Sequence, residues 1–77
     1  MKTLSKDEFL KLDTDEQIDY INEHAKKHSH KEWLYYRDGE IYDIDDAENP
    51  INENDLFDYA LNVHYEATDL QGKLFLD

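Results

Sequence analysis

The first third of the chain carries its apolar residues at helical spacing. Ser5 and Glu8 stand three apart ahead of Phe9, Leu10 and Leu12. That is capping-box spacing, and it predicts a short helix. Asp13 with Glu16, or Thr14 with Gln17, repeats the signal. The second helix it opens runs to about His28. Ile18, Ile21 and Ala25 recur at three and four, which makes one apolar stripe. Asp15, Glu16 and Asp19 near its start and Lys26, Lys27 and His28 near its end both suit the helix dipole. This half reads as ordinary helical scaffold.

From Trp33 the pattern changes. Trp33–Arg37 is aromatic and favours a strand. Asp38-Gly39 is a strong hairpin signal, and Glu40–Ile44 forms the return strand. Asp45 to Asn54 (DDAENPINEN) reads as a polar loop. Phe57, Tyr59, Leu61, Val63, Tyr65 and Ala67 alternate with mostly polar neighbours. Leu56, Ala60 and Val63 also offer a helical spacing, but it leaves Tyr59 and Tyr65 on other faces. The longer period-two match predicts a strand over 57–68. A turn at 69–72 and a strand from Lys73 to Leu76 close the chain. The expected fold is a single α+β domain over 1–77, two N-terminal helices (1–30) packed on a four-stranded antiparallel sheet (31–77).

Composition sharpens this picture. Leu, Ile, Val and Phe total only eighteen of 77 residues, so the core is thin. Six Tyr, three Phe and one Trp compensate, because aromatics bury the most area. A homodimer resting partly on Tyr59, Tyr65 or Phe75 would add buried surface. There is no cysteine, hence no disulfide, thiolate nucleophile or Cys-based zinc site. No apolar run approaches the length of a membrane span, and MKTLSKDEF lacks the apolar stretch of a signal peptide. The compartment expected is a cytosol.

Charge changes the picture most. The net charge is −12, from eight Lys+Arg and twenty Asp+Glu. Residues 1–37 hold seven basic and eight acidic residues, net −1; residues 38–77 hold one and twelve, net −11. No Lys or Arg occurs between Arg37 and Lys73. That gap contains Asp38, Glu40, Asp43, Asp45, Asp46, Glu48, Glu53, Asp55, Asp58, Glu66 and Asp69, which are the candidate protein-binding residues. A solvated surface normally mixes both signs, so a single-sign stretch this long points to a basic partner. Such a field also disfavours direct binding to nucleic acid or anionic membrane.

Specific chemistry finds little support. His24 and His28 share a helix face, and His30 is near, but a zinc-protease motif would need H-E-x-x-H and the chain reads HAKKH. Solvated histidines at a helix end are the expected reading. Asp43, Asp45, Asp46 and Glu48 fail calcium-loop spacing, since Ala47 occupies a ligand position and Glu48 stands where the glycine belongs. No phosphate loop or nucleophile elbow is present, nothing selects a catalytic carboxylate pair, and no cofactor is expected. The protein reads as a non-enzyme. Trp33, Tyr35, Tyr36, Tyr42, Tyr59 and Tyr65 belong to a core or subunit face rather than a base-stacking platform, because the field is wrong for nucleic acid.

On a strand, side chains at i and i+2 point the same way roughly 6.6 Å apart. Each strand of duplex DNA carries one charge per roughly 3.4 Å of axis. Carboxylates at Glu40, Asp58 and Glu66, with those of the adjoining loop, therefore present charge at a phosphate-like spacing. In length, net charge, its cation-free stretch 38–72, absence of cysteine and carboxylates on a hairpin scaffold, the chain resembles the small acidic, mostly phage-encoded DNA mimics. It is most similar to the kind, found in a lytic Bacillus phage, that inhibits the nucleoid-associated protein HU. The resemblance implies a homodimer that occupies the DNA-binding saddle of HU in a bacterial cytosol and disturbs the host nucleoid. It covers the whole chain without a diagnostic motif. The alternative is an acidic adaptor or antitoxin-like protein that binds one basic partner without imitating DNA.

Overall fold

A computed structural model describes residues 3–62 and 75–76. The elements are β1 (Leu4–Ser5), α1 (Lys6–Leu10), α2 (Thr14–Ser29), β2 (Leu34–Arg37), β3 (Glu40–Asp43), β4 (Asp46–Ile51), a 3₁₀ turn (Glu53–Asp55), α3 (Leu56–Asn62) and β5 (Phe75–Leu76). Strands β2, β3 and β4 form one antiparallel sheet, with β3 in the middle. A separate two-residue pair joins β1 to β5 in parallel.

Both capping boxes form. The Ser5 hydroxyl accepts from the Glu8 amide and the Glu8 carboxylate from the Ser5 amide; Asp13 and Glu16 do the same for α2. The α2 stripe is buried as its spacing requires, with Ile18, Ile21 and Ala25 at 5 % exposure or less. His30 ends α2 in the left-handed region, at φ 67°. The Asp38-Gly39 hairpin also forms, with φ 54° and 82°, the double positive φ of a type I′ turn.

Several sequence expectations are overturned. The sheet has three strands, not four, and the strand expected over 57–68 is helix α3 as far as Asn62. Leu56, Tyr59 and Ala60 bury one face of that helix, at i, i+3 and i+4. The remainder of that expected strand, the turn at 69–72 and the candidates Glu66 and Asp69 lie outside the described residues. Of the closing strand, Phe75–Leu76 is present but pairs in parallel with β1 instead of joining the sheet. The expected loop 45–54 is mostly strand β4, whose residues are exposed except for half-buried Ile51. Tyr59, named above for a subunit interface, is 7 % exposed within this chain's own core.

The core joins α1, α2, α3 and the inner face of the sheet through Phe9, Ile21, Trp33, Leu34, Leu56 and their neighbours. Phe9 meets Tyr20 edge-on at 5.8 Å and Phe57 at 6.0 Å. His24, expected to be solvated, is 3 % exposed, its ring edge-on to Trp33 at 6.2 Å. Uncharged polar groups complete the joints. Gln17 donates to the carbonyls of Phe9 and Leu12, closing the α1–α2 link. The Tyr20 hydroxyl accepts from the Leu4 amide at 3.0 Å and fixes β1. Asn22, 6 % exposed, accepts from the Trp33 and Leu34 amides and donates to the Leu34 carbonyl. One side chain on α2 thereby satisfies three backbone groups at the start of β2.

Asn22→Ala leaves buried backbone groups unpaired, at about 1–3 kcal/mol for each one that water cannot reach. We expect urea unfolding to show a loss on the order of 2–3 kcal/mol, against less than about 0.5 kcal/mol for Glu23→Ala on the exposed face. Equal losses would show that Asn22 does not anchor the sheet.

Candidate acidic interface

Register sorts the hairpin into two faces. Leu34 pairs with Asp43 and Tyr36 with Ile41; Tyr35 pairs with Tyr42 and Arg37 with Glu40. Directly opposed residues share a face. Leu34, Ile41 and Asp43 turn toward the helices and are buried. Asp43 is thus not part of an exposed acidic surface, contrary to the sequence expectation. At 4 % exposure it accepts from the Tyr59 hydroxyl, and its other oxygen from the Asp45 amide at 2.7 Å. Burial first, and then the bond to Asp43, push the Tyr59 phenol far above its ordinary value. The period-two spacing from Ile41 to Asp43 is the signal that places this carboxylate inside.

The other candidates within the described residues are all exposed: Asp38, Glu40, Asp45, Asp46, Glu48, Glu53, Asp55 and Asp58. Asp38 lies in the hairpin turn, Glu40 on β3, Asp45 in the β3–β4 turn, Asp46 and Glu48 on β4, Glu53 and Asp55 in the 3₁₀ turn, and Asp58 on α3. Asp46 accepts from the Glu48 amide and from the Asn49 side chain. Glu53 accepts from the Thr14 hydroxyl at 3.1 Å. Among the described residues, no Lys or Arg is ion-paired with Asp38, Glu40, Asp45, Asp46, Glu48, Glu53 or Asp55.

Arg37 explains part of this. It is the last cation before the acidic stretch, and its guanidinium sits 4.2 Å over the Tyr42 ring. From there it donates to the Ala47 carbonyl at 2.7 Å. Tyr35 stacks on the same Tyr42 ring at 5.8 Å. The positive charge is thereby directed at an aromatic face and a backbone carbonyl, where it ties β4 to the hairpin and leaves the carboxylates uncompensated.

The acids fall at two ends of the sheet. Asp45, Asp46 and Glu48 gather at and beyond the β3–β4 turn. At the opposite end β4 returns beside the hairpin turn, and the chain from Gly39 to Ile41 and from Pro50 to Asn54 lines a cleft of about 450 Å³. Helix α2 adds acids to this second end. The half-exposed Tyr36 donates its hydroxyl to Asp15, with Glu53 and Asp13 nearby. The bond to Asp15, then burial and these negative charges, raise the Tyr36 phenol to about 12. Sequence reading assigned Asp15 to the helix dipole alone. The Thr14–Glu53 contact, 39 positions apart, is what brings the start of α2 to this end, and no local pattern reports it.

Among the described residues, no group of three or more His, Asp or Glu is placed to hold a metal ion. Nor is any helix there long and apolar enough to cross a membrane. No known protein family, curated protein or solved structure matches the chain.

A phenol whose folded pKa is raised stabilises the fold fully below its unfolded value and loses that contribution as pH climbs through the folded value. For Tyr36 the window runs from 10 to about 12. Tyr36→Phe has no such proton to lose. Across this window the variant should lose less stability than the parent protein, measured by denaturant unfolding at successive pH values. Parallel losses would show that the bond to Asp15 does not hold in solution.

Proposed function

We propose that this domain is a DNA mimic that occupies the DNA-binding surface of a basic protein and keeps DNA off it. A nucleoid-associated protein of the HU type is the partner the resemblance favours, and the setting is the bacterial cytosol. The observation that carries this reading is a set of seven exposed carboxylates on the hairpin, the β3–β4 turn, β4 and the 3₁₀ turn with no Lys or Arg of the described residues paired to them. A DNA-binding surface rich in Lys and Arg gains free energy by releasing counterions from a polyanion, and exposed carboxylates supply the charge for that exchange. Sheet and helices supply rigidity, so little conformational entropy is lost on association. The domain acts by occupancy and catalyses no reaction.

The test is a gel-shift competition with purified HU on duplex DNA. The domain should release DNA from HU without shifting free DNA, and less effectively as salt rises. Reversing Asp45 and Asp46 to Lys should raise the concentration needed by roughly tenfold or more, with circular dichroism confirming the fold. Binding of free DNA, or no release from HU or any other basic DNA-binding protein, contradicts the reading.

A further inference from the structure

We infer that the cleft between the hairpin turn and the 3₁₀ turn is a receptor for a single arginine side chain of the basic partner. The inference rests on the reading above and locates its most specific contact. The cleft, about 450 Å³, runs between Gly39–Ile41 and Pro50–Asn54. Ile41, Pro50 and Ile51 give it apolar lining, while Glu40 and Glu53 bring carboxylates to it. This combination suits an amphipathic cation, whose methylene stem lies on apolar surface while its charged head meets carboxylate.

Acceptor capacity at the cleft is left over. Glu53 uses one oxygen, Oε2, to accept from Thr14. That bond fixes the side chain, and among the described residues Oε1 makes no other bond. Glu40 is exposed and belongs to no ion pair among the described residues. The Asn52 side-chain oxygen is committed to the Asn54 amide at 2.8 Å, which holds the 3₁₀ turn in shape. Charge decides the class of occupant: two carboxylates border the cleft, and Asp38 and Asp55 stand in the adjacent turns. An anionic or neutral side chain would meet like charge or leave these groups unpaired. Arginine is favoured over lysine because its planar guanidinium has five N–H donors in a fixed fork and is more weakly hydrated than an ammonium, which is a compact, strongly hydrated point charge. The other acidic end, around Asp45, Asp46 and Glu48, has the charge without this cleft.

Two measurements on the full chain test this. In the first, the isotope-labelled protein is titrated with N-acetyl-arginine amide and, separately, with N-acetyl-lysine amide, following backbone amide shifts at low salt. The arginine amide should move Gly39, Ile41, Asn52 and Asn54 in a saturable way, the lysine amide should move them less, and Glu40→Gln with Glu53→Gln should abolish the response. Equal response to both probes, or shifts as large at Asp45, Asp46 and Glu48, would overturn the inference. In the second, the same double variant is assayed for DNA release from the basic protein. It should be weakened by roughly tenfold or more, and Asp38→Asn with Asp55→Asn, an equal change of charge, by less. If the cleft variant releases DNA as well as the parent chain, the cleft inference fails and the mimic reading stands. If the parent chain releases no DNA while the arginine amide still fills the cleft, the mimic reading fails instead.

Discussion

Uncompensated negative charge is the constraint under which every joint in this structure is made. A chain of 77 residues at −12 repels itself, and it has eighteen Leu, Ile, Val and Phe with which to resist. Cations on the acidic half would ease the repulsion but would also neutralise the surface. Most of the joints between elements rest on uncharged side chains instead. Asn22 anchors β2, Gln17 closes the link between α1 and α2, Tyr20 fixes β1, and Tyr59 ties α3 to Asp43. A net contribution of about 0.5–1.5 kcal/mol for such a hydrogen bond matches or exceeds the about 0.2–1 kcal/mol typical of an exposed ion pair. Fastening the fold this way therefore sacrifices no stability.

The same choice shapes the surface. Arg37 acts on a ring and a carbonyl, and the Lys26–Glu32 ion pair lies by the end of α2, with both side chains more than half exposed. Neither neutralises the carboxylates of the hairpin, β4 or the 3₁₀ turn. The fastening of the fold and its surface charge thus come largely from different residues, as the proposed imitation of a polyanion requires. Because β3 is the one interior strand among the described residues, the edges and turns of the sheet supply most of the exposed acids, and the two ends of the sheet acquire different characters. One presents bare charge at Asp45 and Asp46. The other combines charge with a cleft and a half-exposed tyrosine.

Local rules made the first half of this architecture legible. Capping boxes at Ser5 and Asp13 and the Asp38-Gly39 turn are short-range chemistry, written in adjacent residues, and each appears where its spacing puts it. Strand β4 is hidden in the sequence because its residues are almost all exposed and one is Pro50. Backbone pairing with β3 and the Arg37 contact hold it, and neither leaves an alternating apolar pattern. Helix α3 has the sequence pattern of a strand because Phe57, Tyr59 and Leu61 alternate, whereas burial falls on Leu56, Tyr59 and Ala60. The charged stretch was legible as composition. Its division into a buried Asp43 and exposed neighbours depended on strand register, and the arrival of Asp13 and Asp15 beside Glu53 depended on tertiary packing.

The central claim is that hydrogen bonds from uncharged groups hold this fold against a charge that works to open it. Urea unfolding of the full chain at about 0.1 M and about 1 M sodium chloride tests it, because the screening length falls from roughly 10 Å to roughly 3 Å between them. The account predicts that stability rises with salt, as repulsion among unpaired carboxylates is screened while the uncharged joints are untouched. A fall in stability over the same range would show that ion pairs hold the fold together, and would contradict the account.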